Sequence, residues 1–275
     1  MSDAPSFAGY PILGALGPCP GGTAFRGTHP LDGRPVVVRK LDPALVGPDF
    51  AARARLARQV EHPHLARLAD AGEADGEPFA VLEPIDGAGL TRLIDGIGPM
   101  PAEMAARFAA QLAGGLAAAH AAGLAHGHVS ADRVVVGPLE PNPDGPAACP
   151  ADGATATLLD LGLLPPGDPA DDLRALGGTV YRMLVGRDPA ADDRPLAALR
   201  PDLPPHLLAL VNELLAADPA VRPTAAAAAE RFAPAEVVDV AVPAPASRPS
   251  PVLWLAVGAA LNLIGIGLLA YALSR

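Results

Sequence analysis

Lysine is almost missing from this 275-residue chain: Lys40 is the only one, and every other cation is an arginine. Acids outnumber bases, 30 against 20, and the formal net charge is -10. Nucleic-acid affinity rests on Lys and Arg at phosphates, so an acidic chain with no basic cluster excludes that partner class. Cysteine is nearly as scarce. Cys19 and Cys149, each followed by proline, make no disulfide framework, and reduced thiols are the default. The start, MSDAPSFAGYPILG, has an early acid and no sustained apolar run, so no signal peptide is expected.

What the chain has is apolar mass. Half of its residues are hydrophobic, enough for a sizeable core in one large domain or two small ones. The high Gly and Pro content (29 and 33) looks like GC-rich coding and carries little functional information. The segment Val252 to Leu273, VLWLAVGAALNLIGIGLLAYAL, has no charge. At about 1.5 Å per residue it would span roughly 33 Å, close to a bilayer's apolar thickness. Trp254 and Tyr271 sit near its ends, as aromatic belts do. The expectation is one C-terminal transmembrane helix over 252–273. Arg248 and Arg275 flank it almost evenly, so charge bias does not orient it. Order of synthesis then places the preceding residues in the cytoplasm, on the inner face of the cytoplasmic membrane. Asn262 and the small residues Ala256, Gly258, Ala260 and Gly265 offer a homodimer contact within the membrane. Residues 234–251, PAEVVDVAVPAPASRPSP, read as an extended Pro/Ala-rich linker.

Strand-like runs dominate the first third: YPIL, RPVVVRKL and PFAVLEPI. One helix interrupts them, FAARARLARQV, with Phe50, Ala54, Ala57 and Val60 on one face. Helices follow. Pro101 suits a helix start, and Met104, Phe108, Leu112 and Leu116 repeat as a buried stripe. DDLRALGGTVYRMLVG, HLLALVNELLAA and TAAAAAERF read as three more. Residues 137–154 read as an enlarged surface loop between RVVV and TATLLD. Strands first and helices later indicate an α+β fold in two lobes.

The order of elements resembles the protein kinase fold, particularly the bacterial membrane-anchored Ser/Thr kinases. RPVVVRKL resembles the lysine-bearing third strand, VEHPHLARL the turn after helix C, and LAHGHVSADRV the catalytic loop. LLDLG resembles the magnesium-binding D-F-G, DDLRALGGTVYRMLVGRDP helix F, and DPAVRP the start of the last helix. The resemblance implies a tail over 1–9 and a kinase-like domain over 10–233. Its N-lobe would run about 10–86 and its C-lobe about 87–233.

Carried over residue by residue, the chemistry is thin. Gly17 and Gly22 match the first and last glycines of the phosphate-covering loop, but Cys19 replaces the middle one. Pro18 and Pro20 remove two N–H donors from a loop that would hold phosphate by such groups. Arg39 stands for the strand lysine, with Lys40 beside it. Strand alternation sends one of them into the cleft and the other out; Arg39 inward is the favoured reading. Arg53 stands for the helix C glutamate. Two cations about 4 Å apart at an effective dielectric near 20 would repel by about 4 kcal/mol. Helix C must hold Arg53 away, or an acid must intervene, so contact between Arg39 and Asp160 is expected. In the catalytic loop His126 matches the structural histidine, and Gly127 replaces the arginine. His128 replaces the catalytic Asp, Ser130 the phosphate-contacting Lys, and Arg133 the metal-binding Asn. Asp160, the magnesium ligand of the motif, is retained. PPGDPADD then reaches helix F almost at once, without the activation segment, so Arg222 needs Asp168 or another acid as partner. His126, Asp172 and Arg222 are the scaffold residues. A metal site at His120, His126 and His128, with Asp160 close by, is the weaker alternative for that loop.

These residues point to a membrane-tethered pseudokinase, a scaffold or regulator for a protein partner such as an active kinase or an envelope protein. No cofactor is expected, or MgATP if nucleotide binding is retained. The alternative is a divergent ATP-dependent Ser/Thr kinase; a second is a dimerising membrane adaptor.

Overall fold

The computed structural model describes residues 5–141, 148–191 and 194–233. The linker over 234–251 and the apolar run over 252–273 lie outside them. Among the described residues, no helix is long and apolar enough to cross a membrane.

The N-lobe is a six-stranded antiparallel sheet. Its strands are β1 (Ser6–Phe7), β2 (Tyr10–Cys19), β3 (Gly22–Thr28), β4 (Pro35–Leu41), β5 (Leu68–Ala74) and β6 (Glu77–Leu82), in the order β1-β2-β3-β4-β6-β5. Val36 and Val38 of β4 pack with Tyr10, Phe79 and Val81 in a small separate core. Arg39 is also buried, and pairs in register with Ala24 on one side and Ala80 on the other. Two short helices, α1 (Pro43–Val46) and α2 (Phe50–Ala57), follow β4. Phe50, Ala54 and Ala57 join the main core, as the apolar face of that run requires.

The C-lobe begins with β7 (Ala88–Gly89), α3 (Leu90–Ile97) and the twenty-residue α4 (Ala102–Ala121). Phe108, Leu112 and Leu116 of α4 are fully buried, while Met104 is half-buried at the edge of the stripe. A 3-10 turn at Ala131–Arg133 leads into β8 (Val134–Glu140), which pairs with β9 (Cys149–Leu158) and β7 in a second sheet. Then come α5 (Pro169–Val185), α6 (Leu196–Leu199), α7 (Pro205–Leu215) and α8 (Ala225–Phe232). Backbone hydrogen bonds join the two halves. The amide of Ala66 donates to the Leu158 carbonyl at 2.8 Å, and the amide of Leu158 to the His64 carbonyl at 2.9 Å.

The structure departs from the sequence reading in three places. Residues 1–9 are not wholly a tail, because β1 pairs with β2 through a turn at Ala8 and Gly9, both at positive φ (53° and 81°). Phe7 anchors that hairpin edge-on against Phe79, with ring centroids 6.2 Å apart. Residues 137–154 are not wholly a loop. β8 runs on to Glu140 and β9 starts at Cys149, and a register shift between Gly137 and Leu139 absorbs Pro138, which cannot donate to a ladder. Strands β3 and β5 were also missed.

Gly22 shows how tightly the β2–β3 ribbon lies on the sheet. A Cβ built there would sit 1.9 Å from the Lys40 carbonyl oxygen, whereas one at Gly14 would meet nothing within 4 Å. Gly22→Ala should therefore destabilise the domain by about 2 kcal/mol or more, and Gly14→Ala should stay within about 0.5 kcal/mol. Urea unfolding of the two variants beside the parent checks this.

Candidate functional site

The cleft between the lobes is organised by one acid. Asp160 is 3% exposed and follows β9 in a left-handed conformation, φ 73°. Its Oδ1 accepts from Nη1 of Arg39, which reaches down from β4. Its Oδ2 lies 3.4 Å from Nε of Arg133. Arg133 in turn donates from Nη1 to the His128 carbonyl at 3.3 Å. Burial lowers the Arg133 pKa first, and the Arg39 charge lowers it further. Lys40 points the other way, to an exposed pair with Glu77 at 2.6 Å. Arg39, Arg133 and Asp160 are thus brought together, and Lys40 is not part of the site.

Arg53 of α2 is buried but turned aside. Its Nη2 donates to the Val46 carbonyl, and burial lowers its pKa against the partial compensation of Asp49. The 160–162 turn packs directly on α2. A Cβ at Gly162 would lie 2.7 Å from the Ala57 Cβ and 3.1 Å from the Arg53 carbonyl oxygen.

The ribbon over the cleft is a tight hairpin. Cys19 pairs with Gly22, leaving Pro20 and Gly21 as the turn, with Gly21 at φ 84°. Proline followed by a residue at positive φ fits a type II turn. The turn points a carbonyl inward, because Arg39 Nη2 donates to the Pro20 oxygen. Leu164 lies beneath it, 3.1 Å from where a Gly21 Cβ would be. Gly17 keeps φ 110° with open space around it, and Gly22 is committed to packing on β4. The two glycines carried over from the phosphate loop therefore do not form a phosphate cradle here.

Gly127, at φ 78°, touches the segment that follows Leu164. A Cβ there would lie 2.6 Å from the Gly167 amide nitrogen and 2.9 Å from the Pro165 carbonyl oxygen. The arginine expected at that position would have no room. His128 is half-buried. Burial lowers its pKa first, then Arg133, against a hydrogen bond with the Pro165 carbonyl. Ser130 precedes the 3-10 turn. Asp132 is held by the Thr91 hydroxyl at 2.6 Å, and its charge partly offsets the lowering of the Arg133 pKa.

Behind the loop, Asp172 of α5 is fully used. It accepts from the amides of His126 and Gly127, each at 2.7 Å, and pairs with His120 Nε2 at 2.8 Å. Burial pushes its pKa up, but those hydrogen bonds outweigh it and hold the carboxyl below its usual range. His126 Nε2 lies 2.6 Å from the Leu159 carbonyl, and its Nδ1 faces the His128 amide at 3.3 Å. A carbonyl on one nitrogen and an N–H on the other assign a neutral ring with the proton on Nε2. Arg222 has a side chain only 3% exposed and staples α5 to the end of α7. It donates to the carbonyls of Ala170 at 2.8 Å and Ala216 at 3.1 Å, and meets Asp171 at 3.3 Å. Asp168 instead caps α5 through the Ala170 amide at 2.7 Å. His120, His126 and His128 form no metal cage: among the described residues, no three His, Cys, Asp or Glu side chains gather in one. The His120 role, the Gly127 packing and the Pro20 carbonyl were not read from sequence. Of these, only the Gly127 packing had a sequence signal, Gly127 and the Pro-Pro-Gly of 165–167, which together spare volume between the two segments.

A two-lobed fold with this catalytic loop, this D-L-G turn and this α5 anchor is that of a protein kinase. No protein-family model matches the chain. Its relatives are bacterial serine/threonine protein kinases. It is 30% identical over 199 residues to PknL of Mycobacterium tuberculosis, covering 64% of this chain and 49% of that one. It is 26% identical over 253 residues to PknF of the same species, covering 80% and 52%. With PknB of Mycobacterium leprae it shares 29% over 167 residues, covering 54% and 27%. The chain thus spans about half the length, or less, of the curated relatives it matches. The crystal structure of the Mycobacterium tuberculosis PknI kinase domain, a double mutant, superposes with a TM-score of 0.69 at 25% identity, over 84% of this chain and 97% of that one. A Rad53 fragment in complex with AMP-PNP gives 0.66 at 18% identity, over 81% and 64%, a likeness of fold.

Burial lowers the His126 pKa to about 4. The unfolded chain takes up that proton near pH 6.5 while the folded one resists it, so the contribution is whole above 6.5 and is lost as pH falls toward 4. His62, His64 and His128 shift in the same direction. The lowered Asp172 adds to the loss at still lower pH. Urea unfolding stability should fall between pH 6.5 and 4 with a slope of about 1 kcal/mol per unit or more. His126→Gln should be less stable at pH 7 and should lose part of that slope.

Proposed function

We propose that this chain is a pseudokinase, a kinase-like domain that binds partners rather than transferring phosphate. The observation that carries this reading is Asp160 engaged by Arg39 and Arg133. Phosphoryl transfer in this fold needs the D-F-G aspartate and the catalytic-loop asparagine to hold magnesium, and an aspartate to accept the substrate proton. Here the asparagine position carries a cation that repels magnesium, and the retained aspartate is already neutralised. His128 stands at the base position in place of the aspartate, half-buried beside Arg133. Residues 165–167 lie against Gly127, where an acceptor hydroxyl would approach the loop.

The scaffold is kept where the chemistry is replaced: His126, Asp172 and Arg222 each hold several partners. That pattern supports a regulator or scaffold presenting lobe surfaces to a protein such as an active kinase or an envelope protein. The uncharged run over 252–273 supports a membrane tether with the domain on the cytoplasmic side, and Asn262 a homodimer within it. The second reading, a divergent Ser/Thr kinase, is favoured by one observation, the curated kinases this chain is similar to.

Incubation with γ-labelled ATP and magnesium or manganese, with the chain itself and a general protein acceptor as substrates, tests the proposal. No label above the protein-free blank is expected. Metal-dependent incorporation into either acceptor would overturn the pseudokinase reading.

A further inference from the structure

The triad in the cleft is unbalanced: two guanidinium groups, Arg39 buried and Arg133 with its side chain 16% exposed, face one buried carboxylate, and the next acid, Asp132, is exposed and bonded to Thr91. Backbone carbonyls take up the remainder. Arg39 donates its second Nη to the Pro20 oxygen, and Arg133 donates to the His128 oxygen. Arg39 Nε is buried with no hydrogen-bond acceptor among the described residues, and Arg133 Nε has only its ion contact with Asp160. An uncompensated charge in a desolvated site is costly, and the carbonyl is a neutral stand-in for an anion. A charged oxygen makes a hydrogen bond to guanidinium roughly twice as strong as a neutral one does. An oxyanion that reached the triad would therefore displace the Pro20 carbonyl.

We propose that Arg39 and Arg133 form a metal-independent oxyanion site, with Arg133 supplying the positive charge that a metal ion would bring, and that its ligand is a phosphate-bearing polyanion. The inference rests on the pseudokinase reading, since the same Arg133 that excludes magnesium makes the site. The anion bridges the two guanidinium groups on the side of Asp160 facing the β2–β3 turn. Arg39 exchanges the Pro20 carbonyl for a phosphate oxygen, and the turn moves off Leu164. Magnesium works against binding, because it neutralises the phosphates and is repelled by both arginines. The dependence on metal is thus the reverse of that of a phosphate-transferring cleft.

Calorimetry on the full chain tests this with inorganic triphosphate, ATP, orthophosphate and adenosine as probes, each with EDTA and with excess magnesium. Triphosphate and ATP should bind in EDTA, about tenfold or more tighter than in magnesium, and more weakly as salt rises. Adenosine should bind at least tenfold more weakly than ATP. Orthophosphate matching triphosphate would identify a single-phosphate site, and triphosphate matching ATP a site that ignores the base; both support the proposal. Arg133→Asn should lose tenfold or more of the metal-free affinity and Arg133→Lys should keep most of it, with melting temperatures confirming that each is folded. Arg34→Ala, at the exposed residue before β4 that pairs with Asp32, should bind as the parent does. No polyanion binding in EDTA, binding that requires magnesium, adenosine binding as tightly as ATP, or a folded Arg133→Asn with parental affinity would each overturn the site. The first of these leaves the pseudokinase reading standing; phosphate transfer to protein would end that reading whatever binds.

Discussion

Asp160 takes a hydrogen bond from Arg39 and an ion contact from Arg133 on the opposite side of the cleft, and the arrangement of everything around it follows. Arg39 comes from the N-lobe sheet and Arg133 from the catalytic loop, so the carboxylate ties the lobes together through charge. Once Arg39 is drawn to Asp160, its free Nη pulls in the Pro20 carbonyl and fixes the hairpin turn above. The turn closes on Leu164, and the chain beyond Leu164 packs on Gly127. At the position of the D-F-G aspartate, Asp160 is the counter-ion of Arg39. Removing one member of a buried ion pair costs about 3–5 kcal/mol, more than most single contacts in a domain are worth.

The second anchor lies behind the catalytic loop. Asp172 fixes two backbone amides and His120, and His126 spans from Leu159 to the His128 amide. These groups sit between α4, α5 and the loop, where a loss would leave buried donors unpaired.

Much of this was legible because it rests on charge and spacing. The contact between Arg39 and Asp160 followed from charge balance, and the outward Lys40 from strand alternation. The lobes followed from the change of periodicity along the chain. Strands β3 and β5 were hidden because their residues are poor strand formers: Gly22 and Gly27 in one, and Asp70, Gly72 and Glu73 in the other. Their register against β4 and β6 overrides local preference. The Pro20 and Val46 carbonyls that hold Arg39 and Arg53 leave no mark in a sequence, since any residue carries a backbone oxygen. Gly127 read only as a lost arginine. Its reason, the approach of Gly167 and Pro165, depends on how two distant segments meet.

Asp160 serves cohesion between the lobes as the buried partner of Arg39. A double-mutant cycle of Asp160→Asn with Arg39→Met, followed by urea unfolding in EDTA, tests it without any ligand. Asp160→Asn alone should destabilise the domain by about 3 kcal/mol or more. The double variant should regain a large part of that loss. If Asp160→Asn unfolds at the parental urea midpoint, the carboxylate is not the counter-ion described and the account is wrong.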